Sequence, residues 1–247
     1  MKVTPIRTRA VEAYSCKLKE LLSESLTNIK PNSVIAITSK VVSLCEENVV
    51  PIKNGNKDKI IESEAEYYLP KNGSKYDVYL TIKHNMLVPS AGVDESNTNG
   101  YYVMWPKDPQ SSANLIWEFL RDEFDITNIG VIITDSTSSP LRWGVTGKCI
   151  AYCGFKGLND KIGESDIFGR QLEMTKVNVA DALAAAAVLC MGESNEQTPI
   201  AIIEELPFVQ FEQQPPSINE INAMNIDIED DLYGQLLQGV QWKSIKN

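Results

Sequence analysis

Val131-Ile132-Ile133-Thr134-Asp135-Ser136 is an apolar run that ends on an aspartate, and earlier in the chain Ser33-Val34-Ile35-Ala36-Ile37-Thr38 runs in the same way into the polar pair Ser39-Lys40. Short β-branched runs bounded by polar residues read as buried strands. Helical patterns lie around them. Val11, Tyr14, Leu18, Leu21 and Leu22 predict an amphipathic helix over about 9–26. Asp108-Pro109 supplies an N-cap and a first-turn proline, opening a helix that carries Leu115, Ile116, Phe119 and Leu120 toward the core. A long helix is expected from Leu172 to Met191, its alanines at 180, 182 and 184–187 permitting close packing and Gly192 stopping it. Thr198 to Ile203 adds another strand. Strands interleaved with helices predict an α/β fold of mixed β-sheets with packed helices.

Between these elements, residues 54–59 read as a loop, Ile60 to Leu69 as a short acidic helix closed by Pro70, and Lys71-Asn72-Gly73-Ser74 as a turn. The stretch from Ser136 to Gly144 is turn-rich and too irregular for a central strand, the kind of loop that carries function beside strand ends. No repeat or composition break divides the chain, so residues 1–247 read as one domain. Residues 212–229 form a polar connection, and residues 230–247 a C-terminal segment that docks on the body.

Composition narrows the function classes. No apolar run approaches the length of a membrane span, and the first residues lack a signal-peptide stretch, so a soluble cytoplasmic protein with no membrane partner is expected. A net charge of −10 without a basic stripe disfavours nucleic acid and favours a basic partner or a site that gathers cations. The five cysteines, Cys16, Cys45, Cys149, Cys153 and Cys190, contain no CxxC pair and read as reduced thiols. His84 is the sole histidine and has no nucleophile motif beside it, which reads as a structural or substrate-contacting residue rather than a general base.

Phosphate-binding signatures are missing. Gly144 to Cys149 lacks P-loop spacing, and no GxGxxG follows a strand. What remains is a set of oxygen donors: Asp94 at the end of Ala91-Gly92-Val93-Asp94-Glu95-Ser96-Asn97, then Asp135, the Ser136 hydroxyl and Glu193 just beyond the alanine-rich helix. Gathered carboxylates repel one another without a cation, and hard divalent cations take oxygen ligands. Singly, each residue reads more readily as a turn former or helix cap than as a ligand; jointly, a Mg or Mn site becomes as good a reading as the structural one. Lys40 at the end of its strand is placed either to reach a phosphate or to sit solvated in a loop.

The segments AGVDESN (91–97), ITDS (133–136), GESDIFGRQLEMT (163–175), DALAAAA (181–187) and MGE (191–193), with TSKVVS (38–43), resemble in order and separation the coenzyme F420-0:gamma-glutamyl ligase family. The resemblance covers about residues 3–204. It implies that family's fold, in which one chain forms intertwined subdomains, and a homodimer. It also implies an enzyme that uses GTP or ATP and two divalent cations, Mg or Mn, to join L-glutamate through an amide to a carboxylate of a deazaflavin coenzyme precursor. Asp94 and Asp135 would bind the first cation, Ser136 and Glu193 the second. Ser39, Lys40, Asn97 and the segment from Met191 through Gly192, Glu193, Ser194, Asn195 and Glu196 to Thr198 would contact the nucleotide, as would Pro5 to Thr8. Read from its own chemistry, Arg142 has a fork that matches a substrate carboxylate and would equally suit a structural ion pair, and Lys40 adds a positive contact to the transferring phosphate.

The chain departs from that family's pattern in three places. Leu44 stands where a lysine is common and Cys45-Glu46-Glu47-Asn48 replaces AEGR; Ser139 replaces an arginine in the loop after Asp135; Ile162 replaces another before the GExD motif. Fewer cations near the acceptor leave open a second acceptor, a protein or peptide carboxylate, joined by the same glutamate ligation. Two rivals have other chemistry: a nucleotide-binding regulator without catalysis and a metal-dependent phosphatase.

Overall fold

Val34 and Ala36 face one side of a sheet and Ile35 and Ile37 the other, and all four are wholly buried, so this strand is covered on both faces. The computed structural model describes residues 1–71 and 75–245. In chain order these form β1 (Lys2–Ile6), α1 (Leu18–Ser25), β2 (Ser33–Thr38), α2 (Ser39–Cys45), β3 (Val49–Pro51), α3 (Lys57–Glu64), β4 (Tyr67–Leu69), β5 (Leu80–Lys83), β6 (Met86–Pro89), β7 (Tyr101–Val103) and α4 (Pro109–Phe124). There follow β8 (Ile129–Ser138), β9 (Val145–Cys153), β10 (Leu158–Asp160), β11 (Lys176–Asn178), α5 (Val179–Met191), β12 (Ile200–Glu204), α6 (Ile218–Ala223) and α7 (Gly234–Gln238). The fold is α/β with mixed sheets, as the alternation of patterns implied.

The main sheet runs β1-β12-β2-β8-β9, and its one parallel pair is β2 with β8. Register pairs Thr38 with Thr134, so the carboxyl ends of the two parallel strands lie side by side. That edge is where open α/β sheets bind ligands. One face is covered by Leu22 of α1 and Ala113, Ile116, Trp117 and Leu120 of α4. The other is covered by Val179, Ala180, Leu183, Ala184, Ala187 and Met191 of α5. Burying a Leu, Ile or Val side chain contributes roughly 1.5–3 kcal/mol, so these two layers supply most of the hydrophobic stabilisation.

Gly147 explains how closely α5 lies. A Cβ added there would stand 2.3 Å from the carbonyl oxygen of Ala184 and 2.7 Å from Val188 Cβ, so the β9 backbone rests directly on the alanine face. Between β2 and β8 the chain makes a smaller unit, the β3-β7 pair and the β4-β5-β6 sheet, with its own core of Ile61, Tyr68, Tyr79, Ala91, Val93 and Met104.

Several boundaries differ from the sequence reading. The first helix begins only at Leu18: Tyr14 takes a left-handed backbone (φ 64°), and Val11 packs instead beside Leu44, Val49 and Val103. The acidic helix covers Lys57–Glu64, and Tyr67–Leu69 is a strand because it pairs with β5. Of the turn expected at 71–74, residues 72–74 lie outside the described residues. On α4, Leu115 is exposed, and Ala113 and Trp117 fill the core position expected of it. The long helix begins at Val179, where Asn178 caps it by accepting from the Asp181 amide; the residues just before it form β11. β8 also continues to Ser138, so Asp135 and Ser136 pair with Lys148 and Gly147 inside a hairpin rather than opening a loop. Gly192 ends α5 as expected, with φ 82°. All five cysteines are free, and among the described residues no helix is long and apolar enough to cross a membrane.

Candidate active site

Asp135 lies on β8 just past a β-bulge in its partner: β9 carries an extra residue, Ile150, between the pairings of Ile133 with Ala151 and of Thr134 with Cys149. Beside it α2 starts directly after β2, placing Lys40 in the helix's first turn. A cation at a helix N-terminus is opposed by the helix dipole, so Lys40 needs a counter-ion. Asp94 provides it, with Oδ2 2.8 Å from Lys40 Nζ.

Asp94 is held by an unusual turn. Ser90, Ala91 and Gly92 all have positive φ, and left-handed backbone costs roughly 1–2 kcal/mol at each non-glycine residue. The turn is secured by Thr81, whose hydroxyl donates to Val88 O and accepts from the Ala91 amide. Asp94 Oδ1 accepts from the amides of Glu95 and Ser96, and Oδ2 also accepts from the Ser96 hydroxyl. Lys40 Nζ donates to Ser96 O and Oγ, which fastens this loop to α2. The third wall is the turn after α5. Asn97 Nδ2 donates to Ser194 O (2.8 Å), and the Ser136 hydroxyl lies near enough to Glu193 to favour its charged form.

These elements enclose a pocket of about 500 Å³, within the size range of small-molecule sites. Lys40, Asp94, Ser96, Asn97, Asp135 and Ser136 line one part, and the whole stretch from Met191 to Pro199 another. Thr8 to Glu12, Val41 and Leu44 complete the wall. Thr8 and Gln197 close one rim through Gln197 Nε2 to Thr8 O and Thr8 N to Gln197 O.

The carboxylates differ in how readily they ionise. Burial pushes the Asp135 carboxyl up to about 6, against hydrogen bonds from the Trp105 indole and the Ser136 amide; the Asp94 charge adds to the rise. Burial also acts on Asp94, but the hydrogen bond from Lys40 and those from Ser96 outweigh it and hold that carboxyl below its usual range. Glu193 is raised by burial, with the Ser136 hydroxyl opposing. Among the described residues no three acidic, histidine or cysteine side chains form a metal cage, and Asp94 is paired with Lys40.

Of the residues singled out from sequence, Lys40, Asn97, Asp94, Asp135, Ser136, Met191, Gly192, Glu193, Ser194, Asn195 and Glu196 line this pocket. Ser39 is buried in α2 and does not line it; of residues 5–8, Thr8 alone does. Arg142 also lies outside the lining, on the exposed turn between β8 and β9. Sequence reasoning misses the wall from Arg9 to Glu12 and Asn99; the polar run around Asn97 is the signal for Asn99, while helical spacing disguises the loop before α1. It also misses Trp105, whose indole N–H lies 2.5 Å from Asp135 Oδ2.

A family model described as F420-0:Gamma-glutamyl ligase matches residues 6–205. Among curated relatives, the Coenzyme F420:L-glutamate ligase of Methanococcus maripaludis is 38% identical over 77% of this chain and 82% of its own. The proteins of that name from Methanopyrus kandleri and Archaeoglobus fulgidus are 34% and 31% identical, each over 83% of this chain and over 87% and 88% of their own.

Proposed function

Since this chain belongs to the F420-0:gamma-glutamyl ligase family, we propose that it is a ligase that forms an amide between L-glutamate and a carboxylate of the coenzyme F420-0, using GTP or ATP and two divalent cations, Mg or Mn. The observation that carries the reading is the meeting of Asp94, Asp135, Ser136 and Glu193 in one pocket with Lys40. The relatives named above carry the coenzyme in their names. The protein or peptide acceptor has no such support and is set aside.

The charge of the pocket wall supports the need for cations. Its carboxylates are Glu12, Asp94, Asp135, Glu193 and Glu196, and its cations Arg9 and Lys40, so five negative and two positive groups leave −3. A triphosphate cannot enter such a wall as a bare anion. The donors are all oxygen, the chemistry that Mg and Mn select. Asp94 and Asp135 would hold one ion and Ser136 and Glu193 the other. Bound there, the ions would neutralise the phosphates and the charge developing on the transferred phosphoryl group.

A carboxylate is a poor electrophile, and transfer of the terminal phosphoryl group to it gives an acyl phosphate that the glutamate amine attacks, releasing phosphate. For its part, Lys40 would exchange Asp94 for a phosphate oxygen, moving its ammonium charge onto the transferring group. Asn97 and the segment 191–198 would hold the nucleotide, and Arg142 would grip a substrate carboxylate from its turn. Homodimer formation is part of the reading. It is supported by apolar side chains left in solvent on the turns beyond the site, Leu141, Trp143, Ile167 and Phe168, each at least 89% exposed. Light scattering after size exclusion measures it, and a monomer at micromolar concentration removes it.

The test is phosphate release by the purified chain supplied with nucleotide, MnCl2, F420-0 and glutamate, with the product weighed by mass spectrometry. Release that requires glutamate, with glutamyl mass added to the coenzyme, is expected. Release without glutamate would mean a phosphatase, and nucleotide binding without release a regulator. Nucleotide binding that persists unchanged in EDTA would remove the cations from the reading.

A further inference from the structure

Trp105 precedes Pro106 in the connection from β7 to α4, and it is 2% exposed. Its ring is fixed from several sides. The Asn48 side chain donates to its carbonyl oxygen at 2.7 Å, and His84 stacks parallel to the indole at 6.0 Å. Lys83 Nζ stands 5.4 Å from the ring centroid and is itself paired with Glu64 at 2.6 Å. The Gly92 backbone is pressed against the ring: a Cβ there would fall 2.1 Å from Nε1, so the glycine of the turn that carries Asp94 is also what makes room for the indole. All these contacts serve to aim one N–H, at Asp135 Oδ2.

We propose that Trp105 is the positioning residue of the Asp135 carboxylate: its indole N–H pins Oδ2 and so fixes the rotation at which Asp135 presents itself to a divalent cation. This rests on the reading of Asp135 as a metal ligand. Two physical arguments carry it. A hydrogen bond from a neutral N–H to a carboxylate is charge-assisted, and a cation over the ring makes the indole a better donor. Groups that orient a ligand without touching the metal typically hold about 10–100-fold of its affinity. Because the Gly92 turn and Trp105 are in contact, the indole also ties the loop of Asp94 to Asp135, setting the two carboxylates relative to each other.

Mn2+ titrated into the full-length chain tests this, with free Mn2+ counted by electron paramagnetic resonance and tryptophan emission recorded alongside. Wild type should bind Mn2+ and lose emission, since the paramagnetic ion would bind next to an indole. Trp105→Phe should lose that quenching and bind Mn2+ about tenfold or more weakly. Gly92→Ala, which displaces the indole but also strains the turn that carries Asp94, should weaken binding too, and wild-type binding by that variant counts against the proposal even if Trp105→Phe does not fold. Trp143→Phe, at an exposed site, should quench as wild type does. Folded Trp105→Phe or Gly92→Ala protein that binds Mn2+ with wild-type affinity would leave Trp105 a purely structural side chain and overturn the proposal. The premise fails separately: if wild type takes up no Mn2+, or Asp135→Asn takes up as much as wild type, Asp135 is not a ligand.

Discussion

Replacing Asp135 with asparagine should remove activity and at the same time make the protein more stable. Its carboxyl titrates at about 6 against an ordinary 3.8, chiefly because of burial. The folded chain therefore keeps a proton that the unfolded chain has already released between about pH 4 and 6. Stability contributed by this group falls as pH rises through that window, and the cost is complete above it. Ionising a carboxyl raised this far costs the folded state about 3 kcal/mol, an upper bound that relaxation and the open side of the pocket reduce to roughly 1–2 kcal/mol. Asparagine removes the charge and keeps an oxygen for the Trp105 indole. In metal-free buffer at pH 7.5 the variant should melt higher, by about 2–4 °C for each kcal/mol in a chain of this size. Asp94→Asn should do the opposite. The Asp94 carboxyl is held low, so its contribution is present above the unfolded value and lost as pH falls through the folded one. Removing it destabilises at neutral pH, and the gap from wild type closes in acid. Thermal unfolding by circular dichroism from pH 2.5 to 8, with EDTA and constant ionic strength, reads both. An Asp135→Asn protein that melts at or below wild type at pH 7.5, or whose difference is the same at every pH, would refute the account of Asp135 as a carboxylate stored at a cost.

Lys40→Met should lower kcat by roughly 100-fold or more, the scale of a lost electrostatic group at a transferring centre, and steady-state kinetics with saturating Mn2+ measures it. Arg142→Ala should raise the acceptor KM and leave kcat nearly unchanged, as expected of uniform binding; an unaltered KM would take Arg142 out of the site. Gly147→Val should cost about 1–3 kcal/mol in urea unfolding, because its side chain meets Ala184 O and Val188 where β9 rests on α5.

Strands and caps are the legible part of the fold, since each is decided within a few residues. Ser33–Thr38 is legible to the residue, and Asp108 caps α4 by accepting from the Ser111 amide. What escapes depends on partners distant in sequence. Tyr67–Leu69 resembles a helix tail until β5 pairs with it, and Ser136–Ser138 resembles a loop until β9 returns beside it. The stretch 9–17 keeps helical spacing, yet Tyr14 takes a left-handed backbone, and Val11 bridges two clusters, packing on Leu44, Val49 and Val103 as well as on Cys16, Leu21 and Val41.

The site divides along the same line. Its oxygen donors are legible because aspartate after an apolar run is costly unless something holds it, and the structure supplies the holder in each case. For Asp94 the holder is Lys40, a cation already inside the site, so a neutralised pair stands where sequence suggests a bare ligand. For Asp135 it is a tryptophan 30 residues upstream, and no spacing rule connects an indole to a carboxylate on a different element of the fold. The consequence is chemical. A site that begins with Lys40 on Asp94 has one positive charge that can be moved without importing an ion. A nucleotide arriving with its metal would compete for both partners at once, the metal for Asp94 and a phosphate for Lys40. Neither exchange is favourable alone, since each strands a charge in a partly buried pocket, whereas together they leave every charge paired. Nucleotide and metal should therefore bind with positive coupling, each raising the affinity for the other by the same factor. Isothermal titration of nucleotide with and without Mn2+ measures that factor, and equal affinities would show that the Lys40–Asp94 pair is not exchanged.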